Sequence, residues 1–304
     1  MADTVRVIDT DPKLLSESAA AATHAADQAW IHLHGEIKAA DGDLEALLGT
    51  LRAEEPYGYT FQPEFQPDGS LRMPIVSTRA EVHEAYKRIR GASDLLTVEP
   101  LIEIRGLWYV FNETFAVGRN KETGIVSSGH RVLGLFPVGA DDGIVGELVW
   151  PRLPDMLAIG SGAPPPGAPT DPTEVRRALL KLHDRFLYAW RAADVDALVT
   201  TMSPDVQGGA RDYLNDTGAP IELCDHSGVR EHYTALFEKF QILSIELLDR
   251  LTQDWYVFAE FRVHARRRSD GADVAFNLAE FYVPGRDGRI LVRIGYGSDI
   301  APEA

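Results

Sequence analysis

Apolar residues recur at three- and four-residue intervals in two distant parts of the chain. Trp30, Leu33 and Ile37 form one stripe, and Leu179, Leu182, Phe186 and Trp190 form another; such spacing gathers side chains on one face of a helix. After a short break, Leu44, Leu47, Leu48 and Leu51 repeat the helical rhythm, as do Val195, Leu198, Val199 and Met202. A third helix is marked by Val82, Tyr86 and Ile89 in one half, and by Val229, Tyr233, Leu236, Phe237 and Phe240 in the other. The pattern then changes to that of strands. In the second half these are expected around 243–248, 255–264, 275–282 and 290–296, with turns at Ser269-Asp270-Gly271 and Gly285-Arg286-Asp287-Gly288. The predicted order is helices first, then an antiparallel meander.

The two halves are copies of one another. Trp108-Tyr109-Val110-Phe111-Asn112-Glu113 returns as Trp255-Tyr256-Val257-Phe258-Ala259-Glu260, and 255 − 108 = 147. Val82-His83-Glu84-Ala85-Tyr86 returns at the same shift as Val229-Arg230-Glu231-His232-Tyr233. Upstream, Ala39-Ala40-Asp41-Gly42-Asp43-Leu44 is matched by Ala192-Ala193-Asp194-Val195-Asp196-Ala197 at a shift of 153; downstream, Asp142-Gly143-Ile144 parallels Asp287-Gly288-Arg289-Ile290 at 145. Loops differ in length while elements keep their order. Residues 160–169, rich in proline and glycine, continue neither helix nor ladder and read as a semi-rigid linker. The expected division is an N-terminal extension over 1–22, a first domain over 23–157, a linker over 158–173 and a second domain over 174–300. Alternation along Trp-Tyr-Val-Phe puts bulky apolar groups on both faces of the sheet. One face is expected under the copy's own helices, the other in sheet-to-sheet pairing between copies or in a homo-oligomer.

The 304 residues carry a formal net charge of −16, which disfavours nucleic acid and anionic membrane surfaces as partners. The one basic run, Arg266-Arg267-Arg268, precedes a turn and reads as a solvated strand end. Cys224 is the single cysteine, so no intrachain disulfide forms; with no signal-peptide pattern at the start, a cytoplasmic location is expected. No run approaches the roughly 20 apolar residues of a membrane span.

Several chemistries lack their residues. His83-Glu84 has no second histidine four positions on, no Cys/His spacing builds a zinc site, and neither a glycine-rich phosphate loop nor a Gly-x-Ser-x-Gly elbow is present. No metal, nucleotide or flavin cofactor is expected. Among the 9 histidines, His32 and His34 sit two apart on a helix and face different directions, His130 precedes a strand, His232 neighbours Tyr233, and His264 shares a strand face with Tyr256, Phe258 and Glu260. Each has a structural reading beside an acid/base one.

Three helices followed by a curved antiparallel sheet, the helix break Ala-Ala-Asp-x-Asp-Ala-Leu and the strand entry Asp-Gly-Arg-Ile resemble the nuclear transport factor 2-like superfamily, including its SnoaL-like branch. The resemblance covers both halves. It implies an α+β fold of two tandem cone-shaped domains, each with three N-terminal helices packed on a curved sheet. The superfamily holds ketosteroid isomerases, scytalone dehydratase, epoxide hydrolases and polyketide cyclases beside non-catalytic modules, so fold alone does not fix function.

Carried over position by position, the isomerase oxyanion-hole tyrosine falls on Phe186 and Leu33, and the dehydratase Tyr-Asp pair on Trp190-Arg191 and Ile37-Lys38. None of these matches, which disfavours those two activities. The isomerase general base falls near Asp212, beside Tyr213 in the second copy and Tyr57 and Tyr59 in the first. Its second acid falls on Glu280, opposite Leu135 in the first copy, and His226 falls at the pocket rim. The resemblance thus implies Glu280, Asp212 and His226 as catalytic groups, with Tyr213, Tyr233, Phe186, Trp190, Tyr57 and Tyr59 around the substrate. The expected function is a cofactor-independent lyase, isomerase or cyclase acting on a small apolar aromatic, polyketide, terpenoid or steroid-like compound by general acid/base proton transfer. The alternative is a non-catalytic ligand-binding or assembly module. Glu280 opposite Leu135 favours the second copy as the active one.

Overall fold

The computed structural model describes residues 6–9, 17–39, 42–60, 64–67, 71–139, 143–152, 164–215, 218 and 220–302. Residues 153–163, including the start of the expected linker, lie outside them. Two compact units are present, one drawn from Met1–Gln62 and Pro74–Leu153, the other from Pro63–Met73 and Pro154–Ala304.

In chain order, unit one begins with β1 (Arg6–Asp9), α1 (Glu17–Ala39), α2 (Leu44–Leu48) and β2 (Gly58–Thr60). The short ladder of β3 (Glu64–Phe65) and β4 (Leu71–Arg72) falls in the segment grouped with unit two. Unit one resumes with β5 (Ile75–Val76), α3 (Arg79–Ala92), β6 (Ser93–Arg105), β7 (Tyr109–Asn120), β8 (His130–Pro137) and β9 (Gly146–Pro151). Unit two runs through α4 (Pro172–Arg191), α5 (Val195–Thr200), β10 (Met202–Arg211), β11 (Pro220–Cys224), α6 (Asp225–Lys239), β12 (Phe240–Thr252), β13 (Val257–Arg267), β14 (Asp273–Pro284), β15 (Ile290–Gly297) and β16 (Ala301–Pro302).

Local chemistry sets the helix boundaries. Asp43 accepts the Ala46 N–H at 3.1 Å and Asp194 accepts that of Ala197 at 2.9 Å, so one aspartate in each helix break is an N-cap. Thr78 and Glu81 form a capping box on α3. Asp171 caps α4, whose first residue is Pro172.

The sheet orders are β1-β6-β7-β8-β9-β2-β5 and β11-β10-β15-β14-β13-β12, the latter with β16 on β14. The long pairs β6/β7 and β12/β13 are antiparallel and each carries two register shifts. Such bulges bend a sheet. The expected meander is therefore present, with one addition: the segment after the second helix returns as a strand, pairing in parallel as β2 with β9 and as β10 with β15. In β10 the run Gln207-Gly208-Gly209 hides this strand from a propensity reading, because glycine carries no strand preference. The Trp-Tyr-Val-Phe repeat is core: Tyr109, Val110 and Phe111, and Trp255, Tyr256, Val257 and Phe258, are all buried. Among the described residues, no helix is long and apolar enough to cross a membrane.

Candidate active site

Sheet register fixes which positions of the two units correspond. Phe111 pairs with Leu135, which pairs with Leu148; Phe258 pairs with Phe281, which pairs with Ile294. Phe111 and Phe258 are related by the repeat, since 258 − 111 = 147. The counterpart of Glu280 is therefore Gly134, one residue before Leu135, and the counterpart of Arg293 is Glu147. In the parallel pairs Tyr59 lies opposite Glu147, and Gly208 opposite Arg293.

In unit two these positions are filled. Glu280 is fully buried and bound by Arg293, whose Nη2 and Nε lie 2.5 and 3.0 Å from its carboxylate oxygens, and by the Tyr282 hydroxyl at 2.5 Å. The guanidinium lies 5.7, 5.6 and 5.4 Å from the ring centres of Phe186, Trp190 and Tyr233. Burial works against its charge, but the Glu280 carboxylate beside it holds the Arg293 pKa above its ordinary value. Between α4 and the sheet there remains a void of about 10 Å³ beside His183 and Tyr282, space for about one water molecule.

The other residues implied for unit two have local partners. Asp212 is buried and accepts the backbone N–H groups of Leu214 and Asn215 at 2.9 and 3.1 Å, closing a turn. Tyr213 donates to the Ser298 carbonyl and packs on Phe276. His226 stands in the first turn of α6 with Nε2 2.9 Å from the Met202 carbonyl. No hydrogen bond joins any two of Glu280, Asp212 and His226. Phe186, Trp190 and Tyr233 belong to the hydrophobic core of unit two.

Unit one has the opposite character. His32 and Glu36, one turn apart on α1, face Glu147 as Phe186 and Trp190 face Arg293. The Thr50 hydroxyl donates to the Leu47 carbonyl at 2.7 Å, so its oxygen accepts the Nδ1–H of His32 at 2.6 Å. Nε2 is thereby left as the lone-pair nitrogen. It lies 3.0 Å from the Tyr86 hydroxyl, 3.0 Å from Glu147 Oε2 and 3.5 Å from the Tyr59 hydroxyl. Tyr86 reaches both carboxyls, Glu36 at 3.1 Å and Glu147 by a short hydrogen bond. Tyr57 is turned elsewhere, donating to the Arg52 carbonyl at 2.8 Å.

Burial governs protonation here. It lowers the His32 pKa to about 4, with Arg90 adding to the effect, so the imidazole is neutral at pH 7. Burial, reinforced by the adjacent Glu147, raises Glu36 well above the ordinary carboxylate value. Glu147 is raised by burial too, while hydrogen bonds from Glu36 and Tyr86 pull it back. Two carboxyls so close do not both ionise, and their environments push their affinities for the shared proton apart. The phenols of Tyr59 and Tyr86 are raised by burial and then by Glu147, and stay protonated.

The cluster forms one wall of a cavity of about 190 Å³. Glu36, Glu147, Tyr86 and Thr60 line it directly, with Leu33, Ile89, Val98, Val132, Phe136 and Val149 supplying apolar surface. His32 stands behind this wall. Gly134 keeps the cavity open, since a Cβ there would meet Phe136 Cε2 at 2.6 Å and Asn112 Oδ1 at 2.8 Å. In unit two Glu280 fills that position, and Gly295 makes room for it: a Cβ at Gly295 would overlap the Glu280 side chain. The ligand atoms of His32, Glu36 and Glu147 lie within 4.8 Å of one another, a donor set able to hold a divalent cation. The Tyr86 hydroxyl lies among all three.

Sequence reasoning missed this site by one residue. It set Leu33 and Ile37 beside Phe186 and Trp190, and Leu135 beside Glu280. Moving each by one gives His32, Glu36 and Gly134. The signal was the i, i+4 pair His32 and Glu36, one turn apart and therefore on one face of α1.

Residues 183–293, within unit two, match the family model for the SnoaL-like domain. No curated protein matches the chain. Similar solved structures include a ketosteroid isomerase-like protein from Erwinia carotovora atroseptica, 13% identical, over 41% of this chain and 96% of that one, with a TM-score of 0.34. An LEH-like epoxide hydrolase from M. tuberculosis is 15% identical over 42% and 85%, with a TM-score of 0.33. A phenazine biosynthesis-related protein from Pseudomonas aeruginosa is 15% identical over 41% and 82%, also at 0.33.

Proposed function

We propose that unit one is a cofactor-independent acid/base catalyst acting on a small, largely apolar carbonyl compound, and that unit two is its structural partner. The observation that carries this reading is the pair of buried carboxyls, Glu36 and Glu147, bridged by Tyr86 on the wall of a 190 Å³ cavity. Glu147, whose carboxylate is favoured by hydrogen bonds from Glu36 and Tyr86, takes a proton from the carbon next to the substrate carbonyl. Glu36, which holds its proton at neutral pH, donates it to the carbonyl oxygen. The enol so formed collapses by reprotonation at another carbon, which is isomerisation, or by loss of a β-leaving group, which is elimination. Glu36 and Glu147 exchange roles through the Tyr86 hydroxyl.

His32 acts as a positioning residue. Its neutral ring, fixed by Thr50, gives the hydroxyl of Tyr86 a lone pair to bond to. Apolar walls keep both carboxyls desolvated, which keeps their pKa values high. Among the described residues, the surroundings of Glu280 and Arg293 are packed with Phe186, Trp190, Tyr233 and Tyr282, which supports the division of labour.

The test is exchange of solvent deuterium into carbon acids, followed by NMR over a panel of small aromatic and alicyclic ketones and enones. Wild-type protein is expected to catalyse exchange next to the carbonyl of at least one member, and Glu147→Gln to slow it about 10²- to 10⁴-fold. Absence of catalysed exchange across the panel, or an unchanged rate in the variant, sinks the proposal.

A further inference from the structure

Arg90 ends α3 with its side chain on the wall of the unit-one cavity. Its Nε is buried and has no hydrogen-bond partner, and among the described residues its guanidinium joins no ion pair. The carboxyls nearest in charge terms are those of Glu36 and Glu147, whose pKa values Arg90 lowers only as a minor influence. Asp94, also on the cavity wall, is engaged by Lys121 at 3.1 Å. His130, the remaining basic group there, has its pKa lowered by burial and stays neutral. An arginine half-withdrawn from water with no carboxylate in direct contact gains from one that a ligand supplies.

We infer that the ligand of unit one is a small apolar carboxylic acid whose carboxylate pairs with Arg90 while its hydrocarbon part lies along Leu33, Ile89, Val98 and Val132. This rests on the proposed site and names its substrate class. The guanidinium fork matches a carboxylate with two parallel N–H···O bonds. Arg90 leaves α3 one turn beyond Tyr86, since 90 − 86 = 4, so a carboxylate held there places the adjoining carbons before the Glu36–Tyr86–Glu147 wall. The same pairing discriminates against neutral analogues, because binding one leaves the guanidinium unpaired.

The test uses matched pairs of benzoate and benzamide, phenylacetate and phenylacetamide, and cinnamate and cinnamamide. Dissociation constants are read by ligand-observed NMR on the full chain at pH 7. At least one acid is expected to bind the wild type about tenfold or more tightly than its amide. Arg90→Met is expected to abolish that preference while still binding the amide, and Arg90→Lys to keep part of it, which separates loss of pairing from loss of folding. Glu147→Gln is expected to retain the preference, so the binding result stands apart from any failure of catalysis. Equal binding of acid and amide by wild type, an unchanged preference in Arg90→Met, or no binding by any pair at millimolar concentration overturns the inference.

Discussion

Glu147 and Arg293 hold the same register position in their respective sheets, each one residue before the partner of an equivalent strand residue, Leu148 opposite Leu135 and Ile294 opposite Phe281. One position thus carries opposite charges in the two copies. Around Glu147 the neighbours are His32, Glu36 and Tyr86 and a cavity remains; around Arg293 they are the Glu280 carboxylate and the rings of Phe186, Trp190 and Tyr233.

The pair Arg293–Glu280 predicts an asymmetric stability result. Removing one partner leaves a buried charge uncompensated, so Arg293→Met is expected to destabilise unit two by about 3–5 kcal/mol. The double variant Arg293→Met with Glu280→Gln is expected to recover a large part of that loss. Urea unfolding monitored by tryptophan fluorescence measures both, Trp190 reporting from the centre of unit two. Equal destabilisation by the single and double changes would falsify the pairing.

Stability is expected to fall on both sides of neutrality, for separate reasons. Burial lowers His32 to about 4 from an ordinary value of 6.5, so between those values the unfolded chain binds a proton that the folded one refuses. Stability is therefore lost as pH drops from 6.5 toward 4, on the order of 3 kcal/mol from this group. Glu36 is raised, so above 4.5 the folded chain keeps a proton that the unfolded one has released, and its contribution is lost as pH rises toward the folded value. Urea titrations across pH should show His32→Gln flattening the acid limb and Glu36→Gln the alkaline limb. Unchanged limbs in both variants contradict the assignment.

Thr50 fixes the His32 tautomer, so Thr50→Val is expected to mix the two tautomers. The readout is the pair of imidazole ¹⁵N shifts, which a packing role alone would not move. Deuterium exchange is expected to slow about tenfold with little change in KM. A single tautomer identical to that of wild type would dismiss this role.

The trio His32, Glu36 and Glu147 predicts a latent cation site blocked by a phenol. Because the Tyr86 hydroxyl lies among the three donors, wild-type exchange activity is expected to survive chelator treatment. Tyr86→Phe removes that oxygen and is expected to bind Zn²⁺ more tightly than wild type by calorimetry. Loss of wild-type activity with chelator, restored by metal, would show a metal enzyme instead.

Much of the architecture was legible because it is written in periodicities. The helical stripes, the Trp-Tyr-Val-Phe strand and the 147-residue shift mark core positions whose side chains must meet. The site was less legible because its members depend on register. A helix turns about 100° per residue and a strand about 180°, so an alignment off by one sets side chains of different faces against each other. The sequence alignment accordingly named Leu33 and Leu135, where sheet register and hydrogen bonds single out His32 and Gly134. Glu280 was read as a carboxyl in apolar surroundings, and its ion pair with Arg293 on the neighbouring strand rests on the pairing of β14 with β15. Arg90 gave no signal among other charged residues of α3; only the cavity wall singles it out.

The most direct measurement sets Glu147→Gln beside Glu280→Gln in the deuterium-exchange assay, with circular dichroism confirming that both are folded. Chemistry in unit one predicts a rate reduced about 10²-fold or more in Glu147→Gln and close to wild type in Glu280→Gln. A near-normal rate in Glu147→Gln with loss in Glu280→Gln would place the chemistry in unit two and contradict the account.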